Sequence, residues 1–311
     1  LGLVEKRPEL AKQGIRLRKF GQTIIENLSG KRIHSSDWIL PGGVRSPLSS
    51  EKARALLLDA PEALRITQGA LLLFKQELER MGEEVRNFGE FPTLFLGLVN
   101  EEGGLEHYDG KLRIIDSAGK TVADRLDPKK YYEYIGEAVE PWSYMKFPYY
   151  KPLGYPEGAY RVGPLARLNI ASRCGTPLAD EELKQFKRLG KNGIVLNTFH
   201  YHLARLIEIL FCIEQARKLL EDGKTIATDV QASAGLNRRE GVGSLEAPRG
   251  TLFHHYKVDD QGRITWVNLI IATGHNNIAF NTAITQVARK YVKGKDLREG
   301  MLNRVEAVVR A

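Results

Sequence analysis

Near the start of the chain, Ile15, Leu17, Phe20, Ile24, Ile25 and Leu28 recur at helical spacing, with charged residues between them. The spacing predicts a helix that begins at Pro8, a favourable first-turn residue, runs to about Leu28 and is closed by Gly30. A Gly/Pro-rich segment follows (Pro41, Gly42, Gly43, Pro47), after which Ser49-Ser50-Glu51 opens a second helix that continues to about Met81. From Phe95 to Leu126 the pattern changes to alternating apolar residues punctuated by Gly103-Gly104, Asp109-Gly110 and Ala118-Gly119, which predicts a small antiparallel meander over about residues 92–126. The stretch from Pro141 to Pro164, dense in Pro, Tyr and Gly, predicts an ordered, aromatic-packed connection without regular structure. Helices return at about Asp180–Leu189 and Asn197–Leu220. A hairpin then spans about residues 251–272, from Thr251–Val258 to Arg263–Ala272 across Asp259-Asp260-Gln261-Gly262. Two last helices cover Ile278–Val292 and Met301–Arg310. The fold class this gives is α+β, dominated by helices, with two small β insertions and no internal repeat.

The chain has 311 residues, 42% hydrophobic and 27% charged, an ordinary globular composition with room for a sizeable core. No apolar run approaches the roughly 18–20 residues needed to span a bilayer, and the longest candidate, Ile207–Ile213, is broken by Glu208. The first residue is Leu1 and no signal-peptide pattern follows it, which by itself points to the cytoplasm. Of the net charge of +8, +5 lies in the first 32 residues. Nucleic-acid binding is one meaning of such a patch, but the apolar side of the same segment favours a solvated or subunit-facing helix surface.

Candidate chemistry is sparse. Cys174 and Cys212 lie too far apart in sequence for a metal-ligand or redox pair and read as two small buried apolar residues. His254 and His255 are adjacent in a predicted strand, so their side chains point to opposite faces, and His200 and His202 are likewise badly placed on a helix. These histidines, and His275, read as packing or hydrogen-bonding groups. Gly241-Val242-Gly243-Ser244-Leu245-Glu246 begins like a dinucleotide fingerprint but lacks the third glycine and precedes Pro248 instead of opening a helix. One segment stands out: Glu246-Ala247-Pro248-Arg249-Gly250 is an acidic, rigid and cationic turn feeding an apolar strand, and its plain reading is a Glu–Arg pair pinning a loop.

At this segment the chain resembles a known family. Glu246-Ala247-Pro248-Arg249-Gly250-Thr251-Leu252, with His254 and Asn268-Leu269-Ile270-Ile271-Ala272-Thr273, resembles the active-site canopy of [NiFe] hydrogenase large subunits. Leu17-Arg18-Lys19-Phe20-Gly21-Gln22, Gly30-Lys31-Arg32-Ile33-His34, Pro41-Gly42-Gly43 and Tyr160-Arg161-Val162-Gly163-Pro164-Leu165-Ala166-Arg167-Leu168-Asn169 look like the same family. Glu140-Pro141-Trp142-Ser143-Tyr144, continued by Phe147-Pro148-Tyr149-Tyr150, resembles its bidirectional, NAD(P)-coupled branch. The likeness covers essentially the whole chain. Both C-x-x-C motifs that hold the family's nickel–iron centre are absent, so the resemblance implies an internal piece, inactive by itself, from the centre of one large-subunit domain.

The resemblance implies reversible heterolysis of H2 into a proton and a hydride equivalent. It makes Arg249 the catalytic residue, its guanidinium over the metal pair, acting by polarisation because an arginine stays protonated. Ala247, Pro248, Leu252, Ile271 and Ala272 would line the iron's CO and CN ligands. Thr273 would donate a hydrogen bond to a cyanide, and the backbone carbonyl of Leu269 would bind magnesium. Electrons would leave through a small subunit carrying an iron–sulfur cluster to diaphorase subunits that hold FMN and reduce NAD, with the basic first helix and the Lys31–His34 turn facing the small subunit. The competing reading is a cysteine-less homologue, acting as a non-catalytic scaffold or as a quinone-site subunit.

Overall fold

The computed structural model describes residues 5, 7–33, 37–82, 85, 88–233, 235, 237–294 and 297–311. The chain divides into two compact units, one made of residues 1–74 and 209–237, the other of residues 75–208 and 238–311.

In the first unit, helix α1 (Pro8–Ser29) ends at Gly30, whose φ of 74° is left-handed and whose N–H returns to the Glu26 carbonyl. Leu17, Phe20 and Ile24 pack against Leu56, Ala60 and Ala63 of helix α2 (Ser50–Met81). Ile15 and Ile25 remain exposed, so the apolar side read from spacing is only partly core. Between the helices, β1 (Ile39–Leu40) and β2 (Gly43–Val44) form a tight hairpin at the Pro41-Gly42-Gly43 segment. Its backbone is tied down by Val44 N–H to the Val230 carbonyl at 3.0 Å and Ala232 N–H to the Gly42 carbonyl at 2.9 Å.

The second unit is built on a four-stranded sheet of order β5-β4-β3-β8, comprising β3 (Leu94–Val99), β4 (Lys111–Ile115), β5 (Thr121–Leu126) and β8 (Tyr160–Arg161). The first three strands are the predicted antiparallel meander; β8 adds in parallel through Leu94 and Phe95. All six residues of β3 are buried. Helix α3 (Pro164–Ile170) packs against that strand and is itself wholly buried. Gly97 allows the close approach, because a Cβ there would meet Ile170 Cδ1 at 2.8 Å and Glu246 Oε1 at 3.3 Å.

The segment expected to lack regular structure contains two strands, β8 and β7 (Lys146–Tyr150); the latter pairs with β6 (Ile135–Val139), placing Glu137 opposite Pro148. A two-stranded ribbon leaves each strand an outer edge, where the missing proline N–H breaks no ladder bond. Helices α4 (Pro177–Arg188) and α5 (Tyr201–Glu221) fall close to their predicted positions, the latter preceded by a 3-10 turn at Thr198–His200.

The predicted hairpin is the larger part of a three-stranded sheet of order β11-β10-β9, with β9 (Glu240–Ala247), β10 (Gly250–Val258) and β11 (Ile264–Ile270). β9 escapes the sequence pattern, since its glycines hide the alternation that marks a strand. Helices α6 (Asn277–Tyr291) and α7 (Glu299–Arg310) close the unit, with Phe88, Ala283, Val287 and Val308 in their shared core. The main core joins both sheets, and fully buried Phe253 stacks on Tyr131 with ring centroids 4.7 Å apart. No helix among the described residues is long and apolar enough to cross a membrane.

Two histidines, His275 buried and His200 half-buried, carry a pH dependence. Burial pushes the His275 pKa down to about 3 and the His200 pKa to about 4, from 6.5. The unfolded chain then takes up these protons first, so the stability each ring supplies is complete above about pH 6.5 and is lost as pH falls toward the folded value. We expect the urea midpoint to fall between about pH 7 and about pH 4.5 less steeply in His200→Phe than in the parent protein. Equal slopes in the two proteins would refute the assignment.

Candidate functional site

The site is organised around the β9–β10 turn. Ala247 pairs with Gly250, leaving Pro248 and Arg249 as a two-residue connection exposed to solvent. Gly250 has φ 140°, and a Cβ there would lie 2.1 Å from Val162 Cγ2 and 3.0 Å from the Gly163 nitrogen. No other residue type fits this corner.

Beneath the turn lies Arg167 of α3, buried to 1% exposure. Its Nε and Nη2 donate to the two carboxylate oxygens of Glu208 at 2.6 and 2.7 Å, and its Nη1 donates to Glu246 Oε2 at 2.8 Å. The same guanidinium donates to the carbonyls of Ala247 at 2.9 Å and Pro248 at 3.1 Å. The other oxygen of Glu246 accepts from Leu98 N–H at 2.9 Å and from the Thr251 hydroxyl at 2.6 Å. Burial alone would lower the Arg167 pKa, but Glu208 and then Glu246 outweigh it and raise it above the ordinary arginine value. Nearby, burial and the positive Arg167 hold the His107 pKa below its usual range.

The predicted Glu246–Arg249 pair is therefore not formed. Glu246 points inward from β9 to Arg167, whereas Arg249 sits beyond the last ladder pair on the solvent side. Among the described residues the Arg249 guanidinium has no hydrogen bond or ion pair.

Arg249 lines a cavity of about 170 Å³ together with Thr273, Arg161, Arg205, Tyr201 and Asn276, with Phe280 and Val308 on its apolar side. Arg161 is fully buried, its guanidinium 3.9 Å from the centroid of the Phe91 ring and donating to the Leu196 carbonyl at 2.6 Å; burial pushes its pKa down to about 10. Burial likewise pushes Tyr201 up to about 12, its hydroxyl donating to the Val162 carbonyl at 3.1 Å. Arg205 donates to the Ala311 carbonyl at 3.0 Å.

The remaining predicted residues are spread over the three-stranded sheet and the segments at its ends. Leu252 and Leu269 share the outer face of the three-stranded sheet, where Leu252 is opposite Leu245 and Leu269 opposite His254. Ile271 follows β11 and is exposed, as Leu269 is. Ala272 is buried at 5% exposure because the strand ends at Ile270 and a 3-10 turn, Ala272–Asn276, takes over. Thr273 thus reaches the cavity from that turn and not from a strand. Ala247 ends β9 and Pro248 immediately precedes Arg249 in the turn.

His255 is buried and His254 half-buried on opposite faces, as the alternation requires. Cys174 is buried, but Cys212 is exposed on α5, which corrects the reading of two buried cysteines; neither forms a disulfide. Among the described residues no three His, Cys, Asp or Glu side chains converge as metal ligands. Around the cavity they present guanidinium groups, hydroxyls that include those of Thr273 and Tyr201, and apolar surface. Lys31 and Arg32 are exposed, with Arg32 paired to Glu26 at 2.7 Å, and His34 lies outside the described residues. Sequence reasoning assigns no role to Arg167, Glu208, Arg161 or Arg205, because only the fold brings them to the turn.

The family model for nickel-dependent hydrogenases matches residues 94–281. The chain belongs to that family. It is 40% identical to the β subunit of the NAD-reducing hydrogenase HoxS of Cupriavidus necator, over 100% of this chain and 65% of the relative. It is 41% identical to a component of the F420-non-reducing hydrogenase vhu of Methanocaldococcus jannaschii, over 94% of this chain and 69% of the relative. The chain therefore spans about two thirds of the length of these curated relatives. Among solved structures, an NAD+-reducing [NiFe]-hydrogenase in the H2-reduced state superposes with a TM-score of 0.95 at 42% identity, covering 99% of this chain and 68% of the other. The Ni-Fe-Se hydrogenase of Desulfomicrobium baculatum, at 20% identity, 86% and 59% coverage and a TM-score of 0.66, shares the fold. The fold is that of a [NiFe] hydrogenase large subunit, helix-dominated with small sheets.

Replacing Gly250 with Ala should cost about 2–4 kcal/mol of unfolding free energy, since both its backbone angle and its contact with Val162 would have to shift. A denaturation curve matching that of the parent protein would show that this turn geometry is wrong.

Proposed function

We propose that this chain is the central part of the catalytic large subunit of a [NiFe] hydrogenase that couples H2 to NAD. The observation that carries the reading is the turn of Pro248 and Arg249, fixed from below and presenting an unpaired guanidinium beside Thr273. The likeness of nearly the whole chain to an NAD+-reducing [NiFe]-hydrogenase supports it.

A nickel–iron centre with CO and CN ligands, held through the C-x-x-C motifs that this sequence lacks, would supply the heterolytic splitting of H2 when bound. The chain's own part is to shape what surrounds it. Arg249 places a permanent positive charge where negative charge gathers, in a setting whose dipoles are arranged in advance. Thr273 offers a hydroxyl donor for a cyanide nitrogen. Ala247, Pro248, Leu252, Ile271 and Ala272 supply apolar surface near the diatomic ligands, and the Leu269 carbonyl is the proposed magnesium ligand.

Electrons would pass one at a time to a small subunit with an iron–sulfur cluster and then to flavin-bearing diaphorase subunits, the assembly working in the cytoplasm. The exposed Lys31 and Arg32 belong to the surface assigned to the small subunit. A scaffold or quinone-site subunit is disfavoured, because neither requires an unpaired arginine above a fixed turn.

In the full-length protein assembled with its partners, Arg249→Lys should lower the kcat for H2-dependent NAD+ reduction by about a hundredfold or more, since a point charge does not replace a planar fork. Full activity in that variant would remove Arg249 from the chemistry. Reduction of a viologen dye by H2 without reduction of NAD+ would keep the hydrogenase and exclude NAD. No H2 turnover in the assembled parent protein would reject the reading altogether.

A further inference from the structure

The ion cluster under the turn has a geometry that charge neutralisation does not explain. One carboxylate would neutralise Arg167, and Glu208 already grips it with both oxygens. A second carboxylate and two carbonyls are nevertheless added, so that each of the guanidinium nitrogens is engaged. Two carboxyl groups are thus buried against one guanidinium, an expensive arrangement that well-packed apolar side chains often match or better. The purpose has to lie in what the guanidinium holds.

We propose that Arg167 is the positioning residue for Arg249: splinted by Glu208 and Glu246, it fixes the carbonyls of Ala247 and Pro248 and so sets the direction in which the Arg249 side chain leaves the turn. This rests on the reading of Arg249 as the residue that faces the metal pair.

Three observations support the assignment. Pro248 and Arg249 are exposed, so burial of their own side chains does not orient the turn. Among the described residues, Arg167 is the sole donor to the Pro248 carbonyl. The next carbonyl, that of Arg249, packs on Gly163 at the start of the same helix, where a Cβ would stand 2.8 Å from it. Three successive carbonyls are thus seated on α3, two by hydrogen bonds and one by contact. Glu208, on α5, joins that seat to a second helix. Arginine suits the task because its fork is planar and rigid, whereas a lysine ammonium could satisfy one carboxylate but could not reach Glu208, Glu246 and both carbonyls at once.

The test uses the full-length protein in its assembled complex and two variants. Arg167→Lys keeps the charge and loses the fork. Arg167→Met/Glu208→Leu/Glu246→Gln replaces the cluster with packed, largely apolar side chains and secures a folded comparison. In both, kcat for H2-dependent dye reduction should fall by about 10- to 100-fold with KM for H2 little changed, as expected when a reacting group is misplaced by an ångström or so. Backbone hydrogen exchange over residues 246–252 should quicken, while nickel content and melting temperature of the triple variant stay near those of the parent.

Activity that falls only in proportion to the folded, nickel-loaded fraction would reduce Arg167 to a structural role and overturn the proposal. Parent-like kcat and exchange in the triple variant would overturn it too. If the parent complex turns over no H2, the hydrogenase reading fails on its own, and the exchange rates still decide whether Arg167 holds the turn.

Discussion

A charge buried to 1% exposure cannot be left to solvent, and the second unit is arranged so that Arg167 never is. Its partners come from two stretches far from it and from each other in sequence: Glu208 from α5, and Glu246 with the adjoining Ala247 and Pro248 carbonyls at the end of β9. Glu246 in turn takes the Leu98 N–H of β3 and the Thr251 hydroxyl of β10. One guanidinium therefore joins the α3 helix, the α5 helix and both sheets. Removing a single member of such a group typically costs about 3–5 kcal/mol, because the remaining charge stays buried without its partner. Gly97 follows from the same constraint, since any side chain there would enter the space of Ile170 and Glu246.

The three-stranded sheet that carries the turn has two unlike faces. Phe253, Ile270, Thr251, His255 and Glu246 are buried against the core. On the other face Leu245 and Leu252 are half-buried, and Val267 and Leu269 are 45% and 43% exposed. Strand alternation makes the two sets inseparable: the register that buries Phe253 must turn Leu252 outward. Of the proposed apolar lining, Leu252 is thus a residue that the core packing itself turns outward.

Elements with a clean period are legible in the sequence. α1 and α2, the meander of β3 to β5, and the β10–β11 hairpin all fall close to their predicted bounds. β9 and β7 are not legible, because glycines at 241 and 243 and proline at 148 carry no strand preference, and only pairing with a neighbouring strand makes them extended. The site is legible where a short motif carries it, as with Pro248 and Arg249. It is illegible where partners meet through the fold: spacing pairs Glu246 with a residue three positions away, and it binds one that is 79 positions away. Local spacing favours local pairs, whereas burial selects the partner that can be fully enclosed.

The arginines at the cavity and beneath the turn show why identity alone does not assign the roles. Arg161 lies on an aromatic face and donates to carbonyls, which hold its cation, while burial pushes its pKa down. Arg167 is enclosed by two carboxylates and its pKa is pushed up. Arg249 is exposed and unpaired among the described residues, on a backbone that other groups hold still. A guanidinium already matched to carboxylates has no field left to give, and one sunk among carbonyls has no reach. Only a cation whose backbone is fixed while its head stays unmatched can respond to charge that gathers in front of it. Among the described residues Arg249 has that combination, while Glu208 and Glu246 are engaged by Arg167.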